Sequence, residues 1–380
     1  MTIEETAART AQPPILDREE KVYVASQWQL VWWRFRKHKM ALIATALLLI
    51  LYVGIVFVEF FAPYDPRRNN RDFIYAPPQR LHFVDADRRF YLWPFTYAIV
   101  GDMDMETLRI HYQEDTSRMY PIRLFVRGDP YKLWGLFEGD LHFVGTDEGG
   151  TMFLLGTEKQ GRDMLSRIMH GGRISMSIGL VGIAISFFLG IFFGGFSGYY
   201  GGIFDLIMQR IIEFLRSVPT LPLWMALSAA LPARWSVIQV YFGIVIILSL
   251  LGWTGLARVV RSKFMSLREE DFVMAARLVG ANEVRVVFRH MVPSFTSHLI
   301  ASLTLSVPGM ILGETSLSFI GLGLQAPAIS WGVLLKEAQA IRVLSEAPWL
   351  LFPGLPVVIV VLAFNFMGDG IRDAADPYSR

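Results

Sequence analysis

Four charged residues set in otherwise apolar runs hold most of the chemistry that this sequence offers: Arg210, Glu213, Arg216 and, far downstream, Glu314. A charge in such a run is costly unless it is paired or faces water, so each needs a role. The spacing of Arg210, Glu213 and Arg216 places them on one helical face, where Glu213 can neutralise either arginine or the set can line a polar cavity. Glu314 has no local counter-charge, and pairing with Arg210 or Arg216 across a bundle is the expectation. Pro219 and Pro222 follow the charged face and kink it, opening backbone toward a cavity or serving packing alone. Other chemistry is excluded by what the chain lacks. Without cysteine there is no disulfide, thiolate site or thiol nucleophile. No HExxH pair, nucleophile elbow or G-x-x-x-x-G-K-[ST] loop is present, which argues against zinc chemistry, acyl transfer and ATP hydrolysis by this polypeptide. The chain is expected to be no enzyme and to bind no metal or cofactor itself.

The elements that must position these residues are membrane spans. Of 380 residues, 53% are hydrophobic and only 18% charged, with net charge +2 and a mean hydropathy of +0.39, outside the balance of soluble domains and without the basic footprint of a nucleic-acid binder. About six spans are expected, over residues 41–61, 175–196, 206–231, 237–257, 298–320 and 348–367. Basic residues before the first span (Arg34, Arg36, Lys37, Lys39) and after the fourth (Arg258, Arg261, Lys263, Arg268) put those segments, and both termini, in the cytoplasm. Residues 1–21 read as a polar tail without a cleavable signal. Trp28 to Met40 interleaves aromatic and basic residues, as an interfacial segment or an ordinary aromatic belt does. Gly190, Gly194, Gly195 and Gly198 form a small-residue face suited to tight helix packing.

The polar stretch 62–172 is too long for a simple loop. Residues 120–145 alternate apolar and polar side chains, with turn signals at Gly128-Asp129-Pro130 and Gly139-Asp140, and predict short strands in an extracytoplasmic insert. The expected class is an all-α polytopic membrane protein with a small β-containing insert.

Between the fourth and fifth spans lies "DFVMAARLVGANEVRVVFRHMVP" (271–293), with a soluble helix's balance of residues. Phe272, Ala275, Ala276 and Val279 recur at helical spacing. Gly280 suits a helix C-cap and Asn282 an N-cap for a second helix over 283–291, with Val284, Val287, Phe288 and Met291 on its apolar side and Pro293 as its stop. Such a pair can lie on a membrane surface, or its alanines can admit a partner's backbone.

This segment resembles the cytoplasmic signature loop of binding-protein-dependent ABC transporter permeases, through Ala275, Ala276, Gly280, His290, Val292 and Pro293; Met274 stands where that loop has glutamate. "GTEKQGRDMLSRIMHGGRIS" (156–175) is similar to the Gly-Thr-Asp-x-x-Gly-Arg-Asp-x-x-Ser-Arg signature of the peptide-type subfamily, with Glu158 replacing Asp. "GYYGGIFD" (198–205), "ETSLSFIGLG" (314–323), "SWG" (330–332) and "GDGIRDAADP" (368–377) follow in the same order. The chain most resembles the C-type permease of oligopeptide and dipeptide importers, and its long insert resembles the variant for peptide-like antibiotics such as microcin C.

The resemblance implies one half of a translocation path in a bacterial inner membrane. Its implied partners are a second homologous permease, two P-loop ATPases that use ATP and magnesium, an extracytoplasmic substrate-binding protein and the lipid bilayer. It implies ATPase docking by Phe272, Ala275, Ala276, Arg277, Val279 and Gly280, with Arg285 at the rim. Glu213, Arg216, Pro219 and Glu314 are candidates to line the path on their own chemistry, and meeting a peptide amino group is the alternative to the ion pair of Glu314. Similar permeases carry nickel and other solutes, and a secondary transporter or channel is the further alternative. The implied organisation is a cytoplasmic tail and interfacial segment (1–40), first span (41–61), insert (62–172), permease core (173–369) with coupling loop 258–297, and cytoplasmic tail (370–380).

Overall fold

The computed structural model describes residues 27–106, 110–147 and 149–375; the expected polar tail at 1–21 and residues 376–380 lie outside them. Helix α1 (Gln27–Phe35) leads into α2 (Lys39–Val56), whose first turn is capped by His38 Nδ1, accepting the Ala41 N–H at 3.1 Å. After α3 (Val58–Phe61) come the insert and then α4 (Met164–Tyr200), which ends where Gly201 takes a positive φ of 65°.

Helices α4 and α7 (Val237–Leu267) share the most extensive contact in the protein. Gly190 meets Leu256, Gly194 meets Ala257 and Gly198 meets Arg261. A Cβ at Gly194 would lie 2.4 Å from the Ala257 carbonyl oxygen, so only glycine allows this approach. The paired numbers rise together: α4 and α7 run parallel. The chain must therefore return between them, and α5 (Gly202–Ser217) with α6 (Thr220–Ala229) makes that return. The third span expected at 206–231 is corrected accordingly. It is two short helices, because Val218 is extended (ψ 133°) and Pro219 cannot donate to a helical ladder.

The bundle is completed by α8 (Asp271–Leu278), by α9 (Glu283–Arg285) continuing through a π-turn (Val286–Met291) into α10 (Val292–Ser294), and by the long α11 (Thr296–Ile320). Then follow α12 (Trp331–Glu337), α13 (Ile341–Glu346) and α14 (Gly354–Ala375). Among the described residues five helical stretches are long and apolar enough to cross a membrane, and the broken α5–α6 segment returns the chain from the end of α4 to the start of α7. Phe35 of α1 packs on Ala374, Leu305 of α11 lies against Gly368, and Leu299 packs on Met291. Thus α1, the end of α14 and the α8–α10 segment share one end of the bundle, here the α8 end.

The insert occupies the other end as a four-stranded antiparallel sheet in sequence order: β1 (His82–Val84), β2 (Phe90–Met103), β3 (Ile110–Leu133) and β4 (Phe137–Thr146). Gly128-Asp129-Pro130 is not the expected turn. It is a bulge inside β3, since Arg127 pairs with Leu141 but Tyr131 with Gly139; proline offers no N–H to the ladder, so the chain steps out of register there. Gly139-Asp140 likewise lies within β4, and the hairpin turns at Trp134-Gly135, where φ is 52° and 73°. Helix α4 starts at Met164, eight residues before the expected insert boundary of 172, because Asp163 caps it by accepting the Ser166 N–H at 2.7 Å.

Candidate functional site

The α8–α10 segment is a projecting element with a rooted inner face. Val273 and Ala276 of α8, and Val286, Val287 and Met291 beyond it, are buried against Ile191 and Tyr199 of α4, Val260 and Phe264 of α7, and Leu299 of α11. Phe272, Ala275, Arg277, Val279 and Gly280 are exposed. Ala276 corrects the expectation: it is 6% exposed and faces the bundle. The inward stripe is the i,i+3 pair Val273 and Ala276, which puts Leu278 and Val279, 87% and 84% exposed, at the tip. Sequence reading missed Leu278, because an eight-residue helix fits more than one apolar stripe.

The tip is sharply defined. The Gly280 N–H donates to Arg277 O at 2.9 Å and the Ala281 N–H to Ala276 O at 3.1 Å, closing a Schellman motif around Gly280, φ 83°. Asn282 Oδ1 then accepts the Arg285 N–H at 2.8 Å and starts the next helix. The π-turn widens that helix, so Val286, Val287 and Met291 face inward while Val284 and Phe288 stay exposed, a different face from the expected one. Pro293 does not stop the helix but sits near the start of α10. The Arg277 guanidinium lies over the Tyr199 ring, 4.6 Å from its centroid, and Tyr200 hydrogen-bonds Glu283. Below them Arg261 grips Asp205 with two nitrogens, Nη2 at 2.5 Å. A displacement of the tip is therefore carried directly into α4 and α7.

The expected path residues do not converge. Glu213 pairs with Arg210 at 2.7 Å on an exposed face of α5; Arg216 and Pro219 are also exposed. Glu314 is instead fully buried, and its expected ion pair with Arg210 or Arg216 is not formed. Ser175 Oγ donates to Glu314 Oε2 at 2.9 Å and Ser318 Oγ to Oε1 at 2.8 Å. The same hydroxyls accept the N–H groups of Trp331 and Leu324, at 3.2 and 3.0 Å. Glu314 thereby ties α11, α4 and α12 together at the sheet end. The bent hydroxyl cage, drawn from three distant segments, left no periodic signal.

The 156–175 segment is a structural corner. Buried Glu158 accepts Arg162 Nε at 2.7 Å and the Gln160 N–H at 3.0 Å. Gly161, φ 70°, sits where a Cβ would strike the Asn70 carbonyl. Burial pushes the Asp163 carboxyl up to about 6, and burial also raises Glu337, which lies 3.6 Å from Arg167.

Residues 186–380 match the family described as binding-protein-dependent transport system inner membrane component, and residues 26–78 match the N-terminal TM domain of oligopeptide transport permease C. Among curated relatives, the oligopeptide transport system permease protein OppC of Haemophilus influenzae is 41% identical over 62% of this chain and 73% of its own length. The dipeptide transport system permease protein DppC of Bacillus subtilis is 37% identical over 59% and 68%. A chain of the MetNI methionine ABC transporter in an inward-facing conformation aligns with a TM-score of 0.42 and 18% identity, over 56% of this chain and 98% of that one.

Proposed function

The chain belongs to the family of binding-protein-dependent transport system inner membrane components, and from that premise we propose that it forms half of an ATP-driven import path for peptides or peptide-like compounds. Its similarity to OppC and DppC supports that substrate class. In this reading the chain sits in the inner membrane beside a second permease, with a substrate-binding protein on the sheet side and two ATPases on the other. The basic residues flanking α2 and α7 favour the α8 end as cytoplasmic.

The observation that carries the reading is the α8–α10 segment: an exposed apolar tip at Leu278 and Val279 on a base buried in the bundle. ATP-driven closure of the paired ATPases pushes on that tip, and the buried base rocks α4 with α7, a two-state element biased from both faces. The sequence carries no G-x-x-x-x-G-K-[ST] loop, which supports assigning ATP and magnesium to the partner subunits. The test is purification of the tagged chain from its native membrane, with companions identified by mass spectrometry. Recovery of a P-loop ATPase and a homologous permease is expected, and Val279→Asp removes the ATPase while leaving the permease pair. A chain that purifies alone and conducts solute without ATP would overturn the proposal.

A further inference from the structure

The β3–β4 hairpin reaches back to the end of a membrane span. The Trp134 indole N–H donates to Val56 O, the last residue of α2, at 2.7 Å, and the Trp134 ring lies 5.4 Å from that of Phe57. Helix α2 has 18 residues, roughly 27 Å of rise, close to the hydrocarbon core's thickness of about 30 Å. Val56 therefore marks the hydrocarbon boundary on the sheet side, and the hairpin tip sits at that depth. Three large apolar side chains of the tip are uncovered: Trp134 is 48% exposed, Leu136 76% and Phe137 61%. They continue the exposed apolar surface of Val53, Val56 and Phe57 at the end of α2. Just above them Lys132 and Glu138 pair across the strands at 3.0 Å, so polarity resumes one residue pair away from the turn.

The turn also bears on the choice of residue. The Leu136 N–H donates to Leu133 O at 3.0 Å, and both central residues have positive φ. Asparagine or glycine suits the first central position, and a tryptophan there is strained. Its backbone cost is offset by what its side chain reaches.

We infer that the Trp134–Phe137 tip is a lipid anchor, seated in the headgroup layer of the leaflet on the sheet side, where an amphipathic indole and neighbouring apolar chains are favoured. The occupant is lipid because the tip extends the exposed apolar surface of a helix that is long and apolar enough to cross a membrane. Anchoring there fixes the height of the insert above the membrane.

The test exploits the absence of cysteine. A nitroxide is attached at Leu136→Cys in the full transporter, reconstituted in nanodiscs of phosphatidylethanolamine and phosphatidylglycerol. Its accessibility to oxygen and to a water-soluble nickel chelate is compared with that of a label at Arg127→Cys, whose native side chain is 85% exposed higher on β3. The expected result is an oxygen-to-nickel ratio several-fold higher at Leu136 than at Arg127. Equal ratios would show the tip in water, and protection from both reagents would show it covered by protein; either overturns the proposal. Trp134→Asn, which eases the turn, should return the Leu136 label to the Arg127 ratio without changing thermal unfolding. A label that stays lipid-exposed in that variant would remove Trp134 from the anchor.

Discussion

Arg173 holds Glu59 with both guanidinium nitrogens, Nη1 to Oε1 at 2.6 Å and Nη2 to Oε2 at 2.8 Å, while also donating to the carbonyls of Ile55 and Val56 at 3.1 Å each. One side chain of α4 thus closes the end of α2 and fixes α3, on which the β3–β4 hairpin packs through Phe60, Phe125 and Phe143. Bidentate geometry makes this pair stronger than a surface contact.

Arg173→Ala leaves a mostly buried carboxylate without its arginine and takes one donor from each of two carbonyls, of which Val56 O keeps the Trp134 indole. Allowing for the partial exposure of the arginine, the expected loss is about 2 kcal/mol. Thermal unfolding in detergent should fall, and limited proteolysis should cut the insert before the bundle; equal cleavage of both would refute a local clamp.

Ala275 and Ala276 should separate docking from folding. Ala276→Trp overpacks a buried site against Val260 and Phe264 and is expected to cost about 1–3 kcal/mol. Ala275→Trp projects outward, so the protein should keep its melting temperature and lose ATP-driven uptake. Uptake at the parental rate in the Ala275 variant would count against the docking face.

Glu314 is a tie between segments. Glu314→Ala strands the hydroxyls of Ser175 and Ser318 and opens a cavity, with an expected cost of about 2–4 kcal/mol. Glu314→Gln keeps an acceptor and should recover most of that in the same unfolding measurement. A leucine variant as stable as the parent would show the cage to be dispensable.

Asp163 gives a pH signature. Its folded-state carboxyl stands at about 6 against an ordinary 3.8, so the folded protein binds the proton more tightly than the unfolded chain. The stability from this group is complete below the ordinary value and is lost as pH rises through about 6, on the order of 3 kcal/mol in all. Asp163→Asn still accepts the Ser166 N–H and should flatten the unfolding profile between about pH 4 and pH 6. An unchanged slope would place the proton elsewhere.

Long apolar runs made most of the bundle legible, because a span writes its length directly into composition. Gly280 and Asn282 were readable for the same kind of reason, since positive φ and a side-chain cap each demand particular residues. Where the sequence misled, two physical solutions shared one pattern. In α8 either of two stripes could face the bundle, and packing against Phe264 chose Val273 with Ala276. Gly128-Asp129-Pro130 reads as a turn or a bulge, and the pairing of Arg127 with Leu141 decided for the bulge. β2 passed unnoticed because its alternation is broken by Pro94, and the partners of Glu314 are brought together only by the fold.

Unlike the segment broken at Val218, α4 continues for 37 residues without interruption. That is roughly 55 Å of rigid rod, well beyond the hydrocarbon core of about 30 Å. It carries Arg173 near one end and Tyr199 at the other, and is cemented to α7 beside Tyr199 by backbone contact at Gly194 and Gly198. Such a rod tilts as one piece. A tilt of about 5° about its middle moves the two ends by roughly 2–3 Å in opposite directions, so a thrust beneath Arg277 returns with reversed sign, and no larger, at the clamp that holds the insert.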